Sequence, residues 1–449
     1  MRLRRILALL TFVASGIVFH AAEAEALLVV LGDQHSAYDR TAQVVALVDR
    51  LRLKTPDLPV AVLLNGDTME WGNVIARRSH GAIDFQMMHE LASRVPTFLN
   101  LGNHEPEFYD VAETVKRVRA TGVVPLSNLR ERGTGRYFTD FAVRLKLGRI
   151  DTVLVGITTD RLGTFRVAVR PQLDPYDPAV WGRANLPTLA KQGPLIVMSH
   201  AGLDADRELL TVVPDGTLFA GAHDHLRFVH QQGRSVYFHS GCWNSHASLV
   251  WLRRGLGGAL LWTVEQVEIG PNSPADVPLA EFIAATRKRY VEPDDLAAVG
   301  KLSHALSPAD AASYVVEALR DAAQVDAAFI GNTTFGAGLP AGPVSRLAFD
   351  ACIRFDGSIF TTEIDGVQLR EIVARANQTI NTSFSERQSG FLVAVAPSGI
   401  APDRRYRIAT TDWGARNSLS YFGAALKWQE MPGLKLKPLV IAALQARAH

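Results

Sequence analysis

Six short apolar runs punctuate the first half of the chain: ALLVVLGD (26–33), VAVLLNGD (60–67), TFLNLGNHE (97–105), TVLVGITTD (152–160), PLIVMSHAG (194–202) and TLFAGAHDH (217–225). Each is rich in Leu, Val and Ile and stops at small or polar residues, the pattern of strands buried on both faces. Helical patterns lie between several of them, so the predicted class is α/β. Polar, potentially reactive residues stand at the end of nearly every run, where α/β sheets hold ligand sites in loops on a rigid scaffold.

The pattern changes between Ile269 and Val299, where GPNSPADVP, an amphipathic EFIAATRKRY and VEPDDLAAV follow one another. Pro, Gly and Asp around one helical segment predict an interdomain linker with a helix over 269–299. From Gly300 to His449 the chain has its own apolar helix, AASYVVEALRDAA, and strand-like runs GSIFTTEI, FLVAVA and RYRIATT. These predict a smaller α+β domain after a first domain over 25–268. The opening MRLRRILALLTFVASGIVFHAAEAEA places three arginines before an apolar run and then small residues in A-x-A order. It reads as a secretory signal over residues 1–24, with an uncleaved anchor as the alternative. The expected mature protein is periplasmic or secreted, without stable membrane insertion.

Composition narrows the function. Against 47 Lys and Arg stand 45 Asp and Glu, a net charge of +2, so no cationic surplus exists to neutralise a nucleic-acid polymer. Cys242 and Cys352 lie in different halves of the chain and are expected to be buried free thiols.

The residues at the run ends form the chemical constellation: Asp33 and His35, Asp67, Asn103 and His104, His200, then His223 and His225. Imidazoles, carboxylates and an amide oxygen without thiolate suit a pair of divalent cations sharing one carboxylate. Strand side chains alternate, so Asp33 with His35 and His223 with His225 are expected to aim two ligands each into one pocket from strand positions i and i+2. Taken singly, each has a structural alternative: a satisfied polar histidine, or Gly-Asp and Gly-Asn as turn residues.

In this order, GDQH, NGD, GNHE, MSH and AHDH resemble the motifs of the calcineurin-like metallophosphoesterases, over roughly residues 27–265. Ala222 stands where that family usually has glycine before the histidine pair. The resemblance implies an α/β/β/α sandwich and two divalent metal ions, drawn from Mn, Zn, Fe or Co. Asp33, His35, Asp67 and His225 would hold one, and Asp67, Asn103, His200 and His223 the other. Hydrolysis would need no covalent intermediate, because two cations acidify a shared water and neutralise the phosphoryl oxygens. His104 would protonate the leaving group or bond a phosphoryl oxygen. Glu107 would orient it, where relatives usually have Asp.

The second half resembles the C-terminal substrate-binding domain of 5'-nucleotidases, through FIGNTTFGAGLPAG, IRFDG, EIDGVQLREIV and YRIATTDW. The resemblance implies Phe355 and Trp413 as a base clamp, with Asn332 beside them; core packing is the alternative for the two aromatics. The family's phosphate-binding arginine is missing, Thr333, Thr334 and Phe335 following Asn332, and its terminal G-G-D-G-Y is NSLSY at 417–421. The expected activity is hydrolysis of a small phosphate monoester, a 5'-nucleotide or related molecule. A 2',3'-cyclic phosphodiester, a sulfur ester and a non-catalytic binding protein are the alternatives.

Overall fold

The computed structural model describes residues 24–446, so the expected signal segment lies almost wholly outside the described residues. The described residues separate into two compact units, 24–71 with 79–286, and 72–78 with 287–446. The division falls inside the helix Val277–Tyr290, within the segment expected to be a linker. Residues 72–78, which the sequence placed in the first domain, group with the second unit. There the Arg78 guanidinium donates to Tyr290 O at 2.7 Å and to Asp295 at 2.5 Å.

The first unit holds twelve principal strands: β1 (Ala26–Leu31), β2 (Val60–Leu64), β3 (Thr97–Asn100), β4 (Val124–Leu126), β5 (Ala142–Leu147), β6 (Ile150–Thr158), β7 (Leu195–His200), β8 (Leu218–Gly221), β9 (Arg227–Gln232), β10 (Ser235–Ser240), β11 (His246–Arg254) and β12 (Leu260–Glu268). They form two six-stranded sheets, in the orders β12-β11-β1-β2-β3-β4 and β9-β10-β8-β7-β6-β5. β1 to β4 run parallel to one another in the first sheet, and β6, β7, β8 and β10 in the second. Every residue of β1, β2, β3, β7 and β8 is buried, as the unbroken apolar runs require.

Period-two alternation divides their side chains. Leu28, Val30, Ala61 and Leu63 of one sheet pack with Leu154, Ile196, Met198 and Ala220 of the other in a common core. Leu27, Val29 and Val62 face the opposite side and are equally buried. Helices Ala82–Ala92 and Val111–Ala120 pack on β3 and β4, and Pro178–Ala190 packs on β6. This is the expected α/β/β/α layering, with parallel strands of both sheets delivering their C-terminal ends to one rim.

The second unit carries a five-stranded mixed sheet, in the spatial order Leu392–Val395, Ala327–Gly331, Arg405–Thr411, Ser358–Asp365 and Gln429–Lys435. Helices Pro308–Ala323 and Leu436–Ala446 bury one face in a core with Ile330, Ile359 and Ala409. Helix Gly366–Arg375 buries the other with Phe329, Ile364 and Ile408. Ser307 caps the first of these helices by accepting from Asp310 N–H, with Pro308 in the first turn. The expected α+β domain is therefore present. Both cysteines are free thiols; Cys352 is buried, but Cys242 is only partly so.

Candidate metal centre

Two buried amides join the sheets directly beneath the rim. Asn65, after β2, donates through Nδ2 to Ser199 O at 3.1 Å and Ala220 O at 2.9 Å. Asn100, ending β3, donates through Nδ2 to Asn65 Oδ1 at 3.1 Å, Ile157 O at 2.8 Å and Met198 O at 3.1 Å. These amides thereby bond backbone carbonyls of the second sheet. The C-terminal ends of β2 and β3 are thereby fixed against those of β6, β7 and β8.

Above these amides the chain leaves the strands. Asp33, His35, Asp67, His223 and His225 all have positive φ, at 50°, 48°, 53°, 83° and 56°. The expectation that Asp33/His35 and His223/His225 share a pocket through strand alternation is thus corrected: β1 ends at Leu31 and β8 at Gly221. Left-handed backbone at these residues breaks the pleat, and tight loops direct the side chains. The loops brace one another, since Asp33 N–H donates to Gly66 O at 3.0 Å and His35 N–H to Asp67 O at 2.8 Å.

The side chains converge in overlapping groups whose potential ligand atoms lie within 4.8 Å of one another: Asp33, His35 and His225; Asp67, His200 and His223; and His35, Asp67 and His104, with Glu70, His104 and Glu107 adjoining them. His35 Nε2 and His225 Nε2 are only 2.8 Å apart. Asp67 links the groups, its Oδ2 3.0 Å from His200 Nε2 and 4.0 Å from His35 Nε2. Asn103 is buried beside them, and its Oδ1 has no hydrogen-bond partner among the described residues. His104, His223 and His225 are partly exposed, whereas Asp33, His35, Asp67 and His200 are buried.

Supporting bonds orient several donors. His200 Nδ1 meets Asn65 O at 2.8 Å, which turns Nε2 toward the carboxylates. Asp33 accepts His223 N–H at both oxygens, 2.9 and 3.1 Å. Asp67 Oδ1 accepts His104 N–H at 2.8 Å. Glu105 gathers three loop amides, from Asp67, Thr68 and Gly102. Gly66 and Gly102 leave the necessary space: a Cβ at Gly66 would lie 2.4 Å from His200 Nδ1, and one at Gly102 2.3 Å from Asp67 Oδ1. Ala222 fits because its Cβ faces Gly32, where a Cβ would come within 3.2 Å of it.

Burial and mutual charge shift the titration of these side chains strongly. Burial pushes Asp33 up to about 8 and holds His35 and His225 below the usual imidazole range. Burial and the neighbouring His200 hold His223 at about 3. Burial also opposes charge on His200, but Asp67 outweighs it and raises that imidazole to about 10. Two imidazole edges facing each other at 2.8 Å, with an unpartnered buried amide oxygen nearby, are a donor set that a divalent cation fits.

Beside the cluster, His104 Nδ1 bonds Glu107 Oε1 at 2.6 Å. Burial works against a charge on His104, but Asp67, Glu70 and Glu107 together raise it well above the ordinary value. The second unit keeps Asn332, Phe355 and Trp413 at one end of its sheet: Asn332 follows its strand, Ile359 pairs with Thr411, and Phe355 and Trp413 flank that pair. Phe355 and Trp413 are 41% and 39% exposed, so neither is a core residue. Sequence reading passed over Asn65, Asn100, Glu105, Trp243 and Glu70. The first three carry a readable signal as polar residues at the ends of buried runs. Trp243 does not; it reaches His35, ring centroids 4.5 Å apart, from a distant loop.

Residues 26–227 match the model of the calcineurin-like phosphoesterase family. No curated protein matches the chain by sequence. Among solved structures it is similar to a 5'-nucleotidase precursor from Thermus thermophilus, with 16% identity, 94% of this chain and 96% of that chain covered, and a TM-score of 0.63. It is also similar to the sulfate thiohydrolase SoxB of the same organism, with 14% identity, 95% and 94% covered, and a TM-score of 0.68. A 5'-nucleotidase from Candida albicans is 12% identical, with 94% and 98% covered and a TM-score of 0.61.

Proposed function

We propose that this chain, which carries a calcineurin-like metallophosphoesterase domain over residues 26–227 and the two-domain fold of 5'-nucleotidases, is an exported hydrolase of small phosphate monoesters, 5'-nucleotides or related phosphorylated molecules. The domain is that of metal-dependent phosphoester hydrolases. The observation that carries the reading is the convergence of overlapping groups of potential ligands through Asp67, next to the His104–Glu107 pair. Export rests on the arginines and apolar run that open the sequence.

Asp33, His35, Asp67 and His225 would hold one cation, and Asp67, Asn103, His200 and His223 the second. Bound divalent cations supply positive charge for the phosphoryl oxygens and a water acidified toward neutral pH. Asp67 supplies the shared charge between the two positions. Asn65 and His223 N–H hold His200 and Asp33 in place before any ligand arrives. Glu107 engages Nδ1 of His104, which leaves Nε2 to give its proton to the departing alkoxide. Phe355, Trp413 and Asn332 are proposed as substrate-binding residues of the second unit, and the exposure of the two aromatics supports this.

A second reading, a sulfur-ester hydrolase, is favoured by the loss of the phosphate-binding arginine after Asn332 and by NSLSY at 417–421. One panel separates the two: nucleoside mono- and diphosphates, cyclic nucleotides, sugar phosphates and thiosulfate esters, with Mn supplied to the purified protein. Turnover of monoesters is expected. Turnover confined to diesters or sulfur esters would exclude the first reading, and a protein that neither binds nor responds to divalent metal would end both.

A further inference from the structure

The loop beyond β6, residues 159–172, carries Arg161, Arg166 and Arg170, and the fold treats them differently. Arg161 is exposed, and Arg170 folds back on the loop itself, donating to Phe165 O and Gly163 O at 2.8 Å each. Arg166 is half-buried and fixed at two points. Its Nη1 donates to Glu107 O at 2.5 Å, and its Cζ stands 4.2 Å from the centroid of the Trp71 ring. Trp71 in turn stacks with Phe108, centroids 6.2 Å apart and planes inclined by 28°. The same loop is tied to the metal position, because Thr164 O accepts from Asn103 Nδ2 at 3.3 Å. Among the described residues no carboxylate forms an ion pair with Arg166, whereas Arg94 of the same unit is paired with Asp49, Glu90 and Asp276. A guanidinium held by a neutral carbonyl and an aromatic face keeps its charge and most of its N–H donors for another partner. Because the fold has already immobilised it, an oxyanion that binds there costs little further side-chain freedom.

We propose that Arg166 sets substrate specificity: its guanidinium receives an anionic group on the alcohol portion of the ester, so the preferred substrates are phosphate monoesters whose departing alcohol itself carries a carboxylate or a second phosphate. The inference rests on the function proposed above and narrows its substrate class. The reaction is unchanged: water adds to phosphorus, the bond from phosphorus to the alcohol oxygen breaks, and that oxygen takes a proton from His104. Arg166 adds a fixed positive charge at Glu107, the residue whose carboxylate engages His104, and therefore on the leaving-group side of the pocket. An uncharged nucleoside offers this cation no partner, in keeping with NSLSY at 417–421 in place of the nucleoside-binding element.

The test uses the full-length protein with Mn supplied and three esters of two-carbon alcohols: ethyl phosphate, phosphoglycolate and ethane-1,2-diol bisphosphate. Their leaving groups are neutral, carboxylated and phosphorylated. For the parent, kcat/KM should be about 10–100-fold higher for at least one anionic ester than for ethyl phosphate, the scale of a charge-assisted contact. The better of the two identifies the anion. Arg166→Met keeps an unbranched side chain against Trp71, and Arg166→Gln keeps an N–H donor for Glu107 O; both lose the charge, and each should bring the ratio down to about 1. Arg166→Lys should retain part of the preference, because an ammonium keeps the charge and loses the planar fork. If Arg166 only braced its loop, the variants would slow all three esters in proportion, so a parental ratio in Arg166→Met and Arg166→Gln would overturn the inference. Should Arg166→Met not fold, Arg166→Gln decides alone. A parent that hydrolyses no monoester ends the proposed function and this inference with it; a parent that hydrolyses all three esters without preference ends only the inference.

Discussion

Gly102→Ala is the most direct probe of the pocket, because it adds a single methyl group to no ligand. The new Cβ would lie 2.3 Å from Asp67 Oδ1, 2.7 Å from Asp67 N and 2.9 Å from His200 Nε2. An ordinary carbon contact needs about 3.5 Å, so Asp67 must retreat by roughly 1 Å. It has little room: its N–H is held by Glu105 at 3.0 Å and its Oδ1 by His104 N–H at 2.8 Å. Overpacking of this kind costs about 1–3 kcal/mol, and a 1 Å displacement of catalytic groups about 100-fold in rate. The expected result is a folded protein, its melting temperature lowered by a few degrees, that binds the second Mn poorly and turns over about 100-fold more slowly. Calorimetry of the metal-free protein and kcat on a monoester measure the two effects separately. A Gly102→Ala protein with two tightly bound Mn ions and parental kcat would show that Asp67 is not a ligand of a closely fitted pair.

Asp67→Asn removes the charge between the two groups and should deplete both metals in elemental analysis and abolish turnover. His104→Ala should keep both metals and lower kcat by about 100-fold or more, most for alkyl leaving groups; near-parental kcat there would remove the proton-donor role. Asn65→Ala strands the Ser199 and Ala220 carbonyls and should cost about 2–4 kcal/mol in urea unfolding, without touching a ligand directly. Asp84, buried and bonded by Tyr38 OH at 2.6 Å, is pushed up to about 7 by burial. A raised carboxyl pKa means that the folded state binds the proton more tightly, so its contribution is present at about pH 4 and lost as pH rises toward about 7. Asp84→Asn should flatten that decline in a pH series of melting temperatures, and an unchanged decline would show that another group causes it.

The polar residues at the run ends and the strands that lead to them were readable from order and period, while their assignment as ligands came from the family resemblance. Short unbroken runs such as ALLVV and PLIVM, bounded by small or polar residues, point to strands covered on both sides, and the residues after each run emerge at the rim. The exposed ring of Trp413 and the buried thiol of Cys352 follow less directly from their neighbours, because burial there depends on which helix covers which face. His35 and His225 meet across 190 positions, and Asn100 reaches carbonyls 57 and 98 positions away. Such contacts are set by the pairing of non-adjacent strands, which no local pattern encodes. The left-handed turns at Asp33, Asp67 and His223 are likewise a tertiary decision. A short polar residue only tolerates positive φ; the bonds between neighbouring loops impose it. Glu70 is the sharpest case. Its sequence neighbourhood is that of any acid in a loop, and only folding brings its one oxygen to two imidazoles, because sheet order sets β2 between β1, which leads to His35, and β3, which leads to His104.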